Sequence, residues 1–188
     1  MNNRITASIL ILVSLAITAC APSRSDITGT WASPSPEDIG NGLFVTREFT
    51  MSSSTWDLTF KMFADQQQTM PIFTLNVEGP YSLNEHSSVQ SAYEGVFGFS
   101  RRTLTLHTSD PDTIAAFGFQ DCDLELNKPG DISLQTCSFF PSITQCPQEY
   151  DIVKVSGGRL QFGSRPADNN MCTPDKRPTA LGYSLERV

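Results

Sequence analysis

Histidine is almost missing from this chain, with only His86 and His107 among 188 residues. A nucleophilic triad needs a histidine within reach of a serine or cysteine, and neither of these lies in a catalytic motif. His86 sits in Asn84-Glu85-His86-Ser87, which reads as a solvated hairpin turn, while His107 closes a strand whose apolar face is Leu104 and Leu106. Gly-x-Gly-x-x-Gly loops and Cys-x-x-Cys metal pairs are absent as well. Asp110, Asp112, Asp121 and Asp123 lack the turn glycine and terminal glutamate of an EF-hand loop, so they read as solvated loop acids. Nothing favours a carboxylate pair for glycoside hydrolysis, which only three dimensions would define. No enzyme, metal or cofactor is expected. Cations are also scarce. Arg4 is the only charged residue among the first nineteen, so the remainder carries 12 basic and 20 acidic residues, a net charge of −8. That argues against nucleic acid and against a basic membrane-docking face.

Long apolar runs are missing too. The run over residues 9–17 falls well short of a bilayer span, which needs about 20 residues. With Arg4 before it and Ile17-Thr18-Ala19-Cys20 after it, the segment reads as an export signal that is removed. Its ending resembles the lipobox of bacterial lipoproteins. The resemblance implies cleavage before Cys20, a diacylglycerol thioether on its sulfur and an acylated amino terminus, so the protein is expected to be anchored to a membrane without crossing it. An ordinary signal cut after Ala19 is the alternative. Ala21 stands where an aspartate would favour inner-membrane retention, which leans towards an outer-membrane lipoprotein facing the periplasm.

Residues 1–19 are thus read as signal peptide, 20–26 as acylated cysteine and tether, and 27–188 as one domain. Residues 21–26 are polar and contain Pro22, a tether of roughly 20 Å if extended. From Leu43 onward the dominant pattern has period two, the signature of strands with one buried face. Trp56, Leu58, Phe60 and Met62 share one face, with Asp57, Thr59 and Lys61 on the other. Phe73, Leu75 and Val77 repeat the pattern until Gly79-Pro80, which is expected to bend or interrupt the strand. Tyr93, Gly95, Phe97 and Phe99 follow, with Gly95 and Gly98 suggesting a bulge or curvature that suits a barrel. Residues 150–155, Ser156-Gly157-Gly158 and residues 160–163 form the clearest hairpin. Residues 180–188 supply a last strand with Leu181, Tyr183 and Leu185 on one face. Residues 112–117 are expected to form one or two helical turns capped by Ser109 or Asp110.

Residues 108–148 hold Pro111, Pro129, Pro141 and Pro147 and three of the four later cysteines, an irregular stapled excursion between strands. A second irregular stretch, 164–178, carries the fourth cysteine and the polar run Asp168-Asn169-Asn170. With Cys20 used for the lipid, Cys122, Cys137, Cys146 and Cys172 read as two disulfides with three connectivities open.

Gly29-Thr30-Trp31, placed just before the expected first strand, resembles the opening of lipocalin-type barrels. Extended through residues 44–49, Trp56, residues 71–75 and Gly79-Pro80-Tyr81, the chain resembles the extracellular domain of the adenomatosis polyposis coli down-regulated family. Cys122, Asp131-Ile132-Ser133 with Cys137, Glu149-Tyr150-Asp151-Ile152, residues 160–163, Arg165-Pro166 with Asp168, and Arg177-Pro178 agree in order, so the resemblance covers residues 27–188. It implies that Cys122 and Cys137 are partners, leaving Cys146 for Cys172. A further pair usual in the family is missing together, with Ser35-Pro36 and Thr69-Met70 in its place. The expected fold is mostly β, an antiparallel lipocalin-like barrel or half-barrel with one disulfide-stapled excursion.

Eight aromatics, Trp56, Phe60, Phe73, Tyr93, Phe97, Phe99, Phe162 and Tyr183, fall on alternating strand positions. A barrel of about eight strands either fills with side chains or holds one small ligand. The ligand pocket is expected at Trp56, Leu58, Phe60, Phe73, Leu75, Val77, Tyr93 and Phe97, taking a hydrophobic small molecule or acylated partner. The resemblance raises that reading, because the family's animal members are membrane-anchored inhibitors whose barrel-like domains are associated with acyl groups. A structural or protein-interaction lipoprotein with a packed core, serving envelope assembly or inhibiting a hydrolase, is the alternative. A monomer is expected.

Overall fold

The computed structural model describes residues 27–89 and 91–188; the signal peptide, Cys20 and the tether lie outside the described residues. Three long strands, β3 (Leu43–Met51), β4 (Thr55–Phe63) and β5 (Pro71–His86), form the wall on which the remaining strands are built. β5 carries both halves of the molecule. Its residues 71–80 pair with β4, and residues 73–78 also pair with β7 (Arg101–Leu106) on the opposite edge. Beyond Gly79-Pro80 that edge passes to β6 (Tyr93–Gly98), which pairs with residues 81–86. β6 and β7 thus succeed one another along a single edge, and at Phe99-Ser100 the sheet forks. β6 goes on to β9 (Gln148–Ser156), and β7 to the short β8 (Pro129–Asp131).

β3 divides in the same way, giving its first residues to β2 (Glu37–Gly40) and its last to β1 (Gly29–Ala32). β9 then pairs with β10 (Arg159–Gly163), β10 with β11 (Leu181–Arg187), and β11 with β1. At one end, therefore, β1, β3, β4, β5, β6, β9, β10 and β11 close an eight-stranded antiparallel barrel. At the other, β2, β3, β4, β5, β7 and β8 remain an open sheet. Closing a curved sheet at one end only leaves half a barrel at the other, and the excursion covers it.

Cross-strand register fixes the inner face, since directly opposed residues point the same way. Val45, Phe49 and Met51 of β3 face Met62, Leu58 and Trp56 of β4, and Phe73, Leu75 and Val77 of β5 continue the row. Trp31 and Leu160 are almost wholly buried, and the Trp31 indole Nε1 donates to the Ile27 carbonyl at 2.7 Å. Outside the sheet, α1 (Pro111–Ala116) starts at Asp110, whose carboxylate accepts from the Thr113 amide at 2.9 Å. Cys122 is bonded to Cys137 within the excursion, and Cys146 to Cys172 ties the excursion to the second irregular stretch.

Several local expectations need correction. Gly29-Thr30-Trp31 lies inside β1 and not before it. Gly79-Pro80 does not interrupt β5; Pro80, which lacks an amide proton, falls where the strand's outer edge changes partner, and proline is tolerated there. His86 is the last residue of β5, in register with Tyr93, so the turn comes after it. Tyr183 is more than half exposed, its hydroxyl donating to the Asp38 carbonyl at 2.8 Å. β2 and β8 are too short to have left a period-two signal.

The fork requires a residue without a side chain at position 79. A Cβ there would lie 2.0 Å from the Gly98 carbonyl oxygen, in a backbone that has no room to give. Gly79→Ala is therefore expected to lower the unfolding free energy by about 1–3 kcal/mol. Urea denaturation should read this as a lower midpoint with an unchanged slope.

Candidate functional site

The barrel interior is the largest collection of aromatic side chains in the fold, and it divides into two layers. In the closed half the rings of Phe49 and Phe162 stack at 4.3 Å, Phe97 meets Phe162 at 5.5 Å and Trp56 at 5.3 Å, and Tyr81 lies flat on Phe97 at 5.8 Å. These rings come from β3, β4, β5, β6 and β10, so they cross the lumen from wall to wall. The Trp56 indole Nε1 donates to the Gly98 carbonyl at 3.0 Å, fixing this layer to the fork.

In the open half the centre is Phe73, which has no exposed surface. Phe60 lies at 5.9 Å from it, and three rings of the excursion, Phe119, Phe117 and Phe140, pack edge-on at 5.3, 5.8 and 6.2 Å. The excursion thus supplies the missing wall on the β5 side. On the β3–β4 side the inner wall is less completely covered: Leu43, Leu58 and Phe60 point inwards and stay partly exposed, as do Ile114, Phe117, Leu124 and Phe140 of the excursion, all packed against the core.

Of the pocket residues expected from sequence, Trp56 and Phe97 belong to the closed layer, while Phe60, Phe73 and Leu75 belong to the open one. Leu58 and Val77 stand opposite each other between the layers, and Tyr93 lies towards the closed rim, opposite Val153. All eight are inward-facing, but they do not surround one volume. Sequence reasoning missed the excursion rings Phe117, Phe119 and Phe140, whose only signal was aromatic density in a proline-rich loop.

It also missed charged groups inside the barrel. Arg47 lies opposite Phe60 on the inner face and donates from Nε and Nη2 to Glu37 Oε1 at 3.0 and 2.9 Å, with Glu37 itself buried. Arg102 lies opposite Val77, is 4% exposed, stacks over the Phe99 ring at 3.6 Å and donates to the Pro141 carbonyl at 2.6 Å. Burial lowers its pKa from the ordinary arginine value. This residue pins the excursion onto the fork. Both arginines occupy positions in phase with apolar neighbours, which is the signal that exposes them.

The remaining candidates disperse. His107 Nε2 is 2.8 Å from the Thr74 hydroxyl and its Nδ1 is 3.0 Å from Asn127 Oδ1. Hydroxyl, imidazole and amide thus follow the order of a triad, but Thr74 sits on the outer face of β5 and lines neither of the concavities described next. Asp110 is the helix cap, and among the described residues no three His, Cys, Asp or Glu side chains gather as a metal site. Two concavities flank Arg101 on the outer face. One of about 280 Å³ is lined by Asp57, Leu58, Thr59, Asn76, Val77, Glu78 and Thr103 and is mainly polar, and one of about 590 Å³ is lined by Ser100, Asp131, Ser133, Leu134 and Gln135 and is mainly apolar.

Asp151 is a second buried acid. Its Oδ1 accepts from the Ile152 and Gly163 amides at 2.7 and 2.8 Å, and Arg177 donates to its backbone carbonyl. Burial pushes its pKa up to about 7, against the lowering effect of those two amides. A raised pKa means that the folded state holds this proton more tightly than the unfolded chain, so stability from Asp151 is complete below pH 4 and lost as pH rises through 7. We expect the slope to reach about 1.4 kcal/mol per pH unit in that window. Asp151→Asn keeps an oxygen for both amides and should remove this part of the pH dependence in thermal melts from pH 4 to 8.

Compared with protein families, residues 11–126 match the family model described as Adenomatosis polyposis coli down-regulated 1. That is more than half of the chain, and it runs through β1 to β7, α1 and Cys122. The segments after residue 126 that support the sequence resemblance lie outside the match. A search of the curated proteins returned no match.

Proposed function

We propose that this chain, which belongs to the adenomatosis polyposis coli down-regulated 1 family, is a membrane-anchored envelope lipoprotein that binds a hydrophobic or acylated ligand in the open half of its barrel. At the coarse level it is a barrel-type binding or interaction protein. The finer reading rests above all on the half-open inner wall, where Leu43, Leu58 and Phe60 keep accessible apolar surface. In the closed half the inner positions are mostly filled by rings in contact, with Leu83 and Val155 partly exposed. An extended acyl chain lying against the β3–β4 wall would bury those three side chains. The anchor is the lipidated Cys20 inferred from the lipobox, and the compartment is the periplasmic face of the outer membrane.

A second reading, a structural or protein-interaction lipoprotein, draws on the ring-filled closed half and on the two concavities around Arg101. It places the partner on the outer surface. The two readings differ in what copurifies and in which residues matter.

Native mass spectrometry of residues 21–188 produced in the periplasm should detect bound lipid, and the protein should bind a fluorescent fatty acid. Phe60→Ala should weaken that binding on the order of ten- to a hundredfold, the equivalent of one buried aromatic contact. Repeated absence of lipid together with no binding of the probe would overturn the carrier reading in favour of the second.

A further inference from the structure

The strand directions place every connection of the barrel at one end or the other. β3 ends and β4 begins at the closed end, and the same end holds the β5–β6 turn, the β9–β10 turn and the start of β1, since Gly29 is in register with Met51. The turns there are Ser52-Ser53-Ser54, Ser87-Ser88-Val89 with Ser91-Ala92, and Gly157-Gly158, and these residues carry no charge; Arg159, which follows the last of them, is paired with Glu186 at 3.2 Å. The opposite end carries the β4–β5 connection with Asp65, the stretch with Asp168, Asp175 and Lys176, and the part of the excursion with Asp110, Asp112, Asp121, Asp123, Glu125 and Lys128.

We propose that the closed end seats against the headgroup layer of the membrane that holds Cys20, and that the open half and its excursion are turned away from that membrane. This rests on the lipoprotein reading above. From Cys20 to Ile27 the chain can stretch at most about 25 Å. β5, with sixteen residues, runs the height of the body, roughly 50 Å along the strand and roughly 40 Å along the barrel axis at ordinary strand tilt. Because Ile27 lies at the closed end, its Trp31 contact fixing it there, the tether is too short to bring the far end to the bilayer.

Charge acts in the same direction. An anionic lipid surface repels the acidic excursion, whereas the serine and glycine turns offer hydroxyls and amides to headgroup oxygens without adding charge. The partly exposed inner wall of the open half then lies away from the anchoring bilayer. Its cargo would be exchanged with something on the far side of the body and not taken directly from the lipid underneath.

The full chain, acylated and reconstituted in vesicles of phosphatidylethanolamine and phosphatidylglycerol containing a headgroup spin label, tests this. Single cysteines carrying a fluorophore are introduced as Ser53→Cys, Ser88→Cys, Gln67→Cys and Lys128→Cys, the last exposed and next to Pro129, which is in register with Thr105. Loss of fluorescence is expected at positions 53 and 88, with emission kept at 67 and 128. Equal quenching at all four, or stronger quenching at 67 and 128, overturns the orientation and leaves the anchor intact. A chain that neither floats with the vesicles nor carries acyl mass on Cys20 overturns the anchor reading, and the orientation falls with it.

Discussion

The approach of Gly79 to the Gly98 carbonyl, with the Trp56 indole bonded to the same oxygen, is the contact on which the architecture depends. It lets β6 and β7 share one edge of β5 while belonging to different sheets. Above it the strands curl shut; below it they stay open. A bulky residue at either glycine would push the two edges apart, and the closed and open halves would then no longer be parts of one wall. Trp56 explains why the position is rigid: it is buried, stacked near Phe49, edge-on to Phe97, and hydrogen-bonded to the Gly98 backbone where the two halves meet.

That division governs how the interior is used. In the closed half five rings from five strands meet across the lumen, giving dense packing with little to gain from a guest. In the open half the opposite wall is a loop held by a disulfide, a short helix and the buried Arg102 latch. A loop can cover an apolar wall without matching it position for position, and Leu58 and Phe60 keep some accessible surface as a result. The same loop carries six of the twenty acidic side chains and a single lysine. Shape, accessibility and charge are therefore all polarised along the barrel axis.

Period-two alternation made the strands legible, because each has one face buried: β4, β5, β7 and the β9–β10 hairpin follow from residue types alone. Turn chemistry made Gly157-Gly158 legible, since both adopt positive φ. Asp110 was readable as a cap because an aspartate followed by Pro111 is a helix start. What could not be read was long-range: which strand β5 would pair with on each side of Pro80, and where the excursion would fold back. Alternation says that a face is buried but not what buries it. So the eight residues expected to line a pocket share the inward phase, Tyr183 lies outside it, and the separation into two layers needed the register. Arg47 and Arg102 were passed over because a charge on an apolar phase reads as a break in a strand, although each is paired or stacked inside it.

The β1–β11 ladder carries one more consequence. Trp31 lies opposite Arg187, whose guanidinium stacks over it at 4.3 Å, and the Val188 amide donates to the Thr30 carbonyl at 3.0 Å. The earliest and the latest of the described strands are therefore immediate neighbours, joined across almost the entire sequence. Loop closure of that length is slow, and it cannot begin while the last strand is still being delivered. Until then the polypeptide waits with the edges of β1 and β10 bare, the state in which strands pair with the wrong partner. The barrel is thus most exposed just before its chain is complete, and the seven residues of β11 end that state.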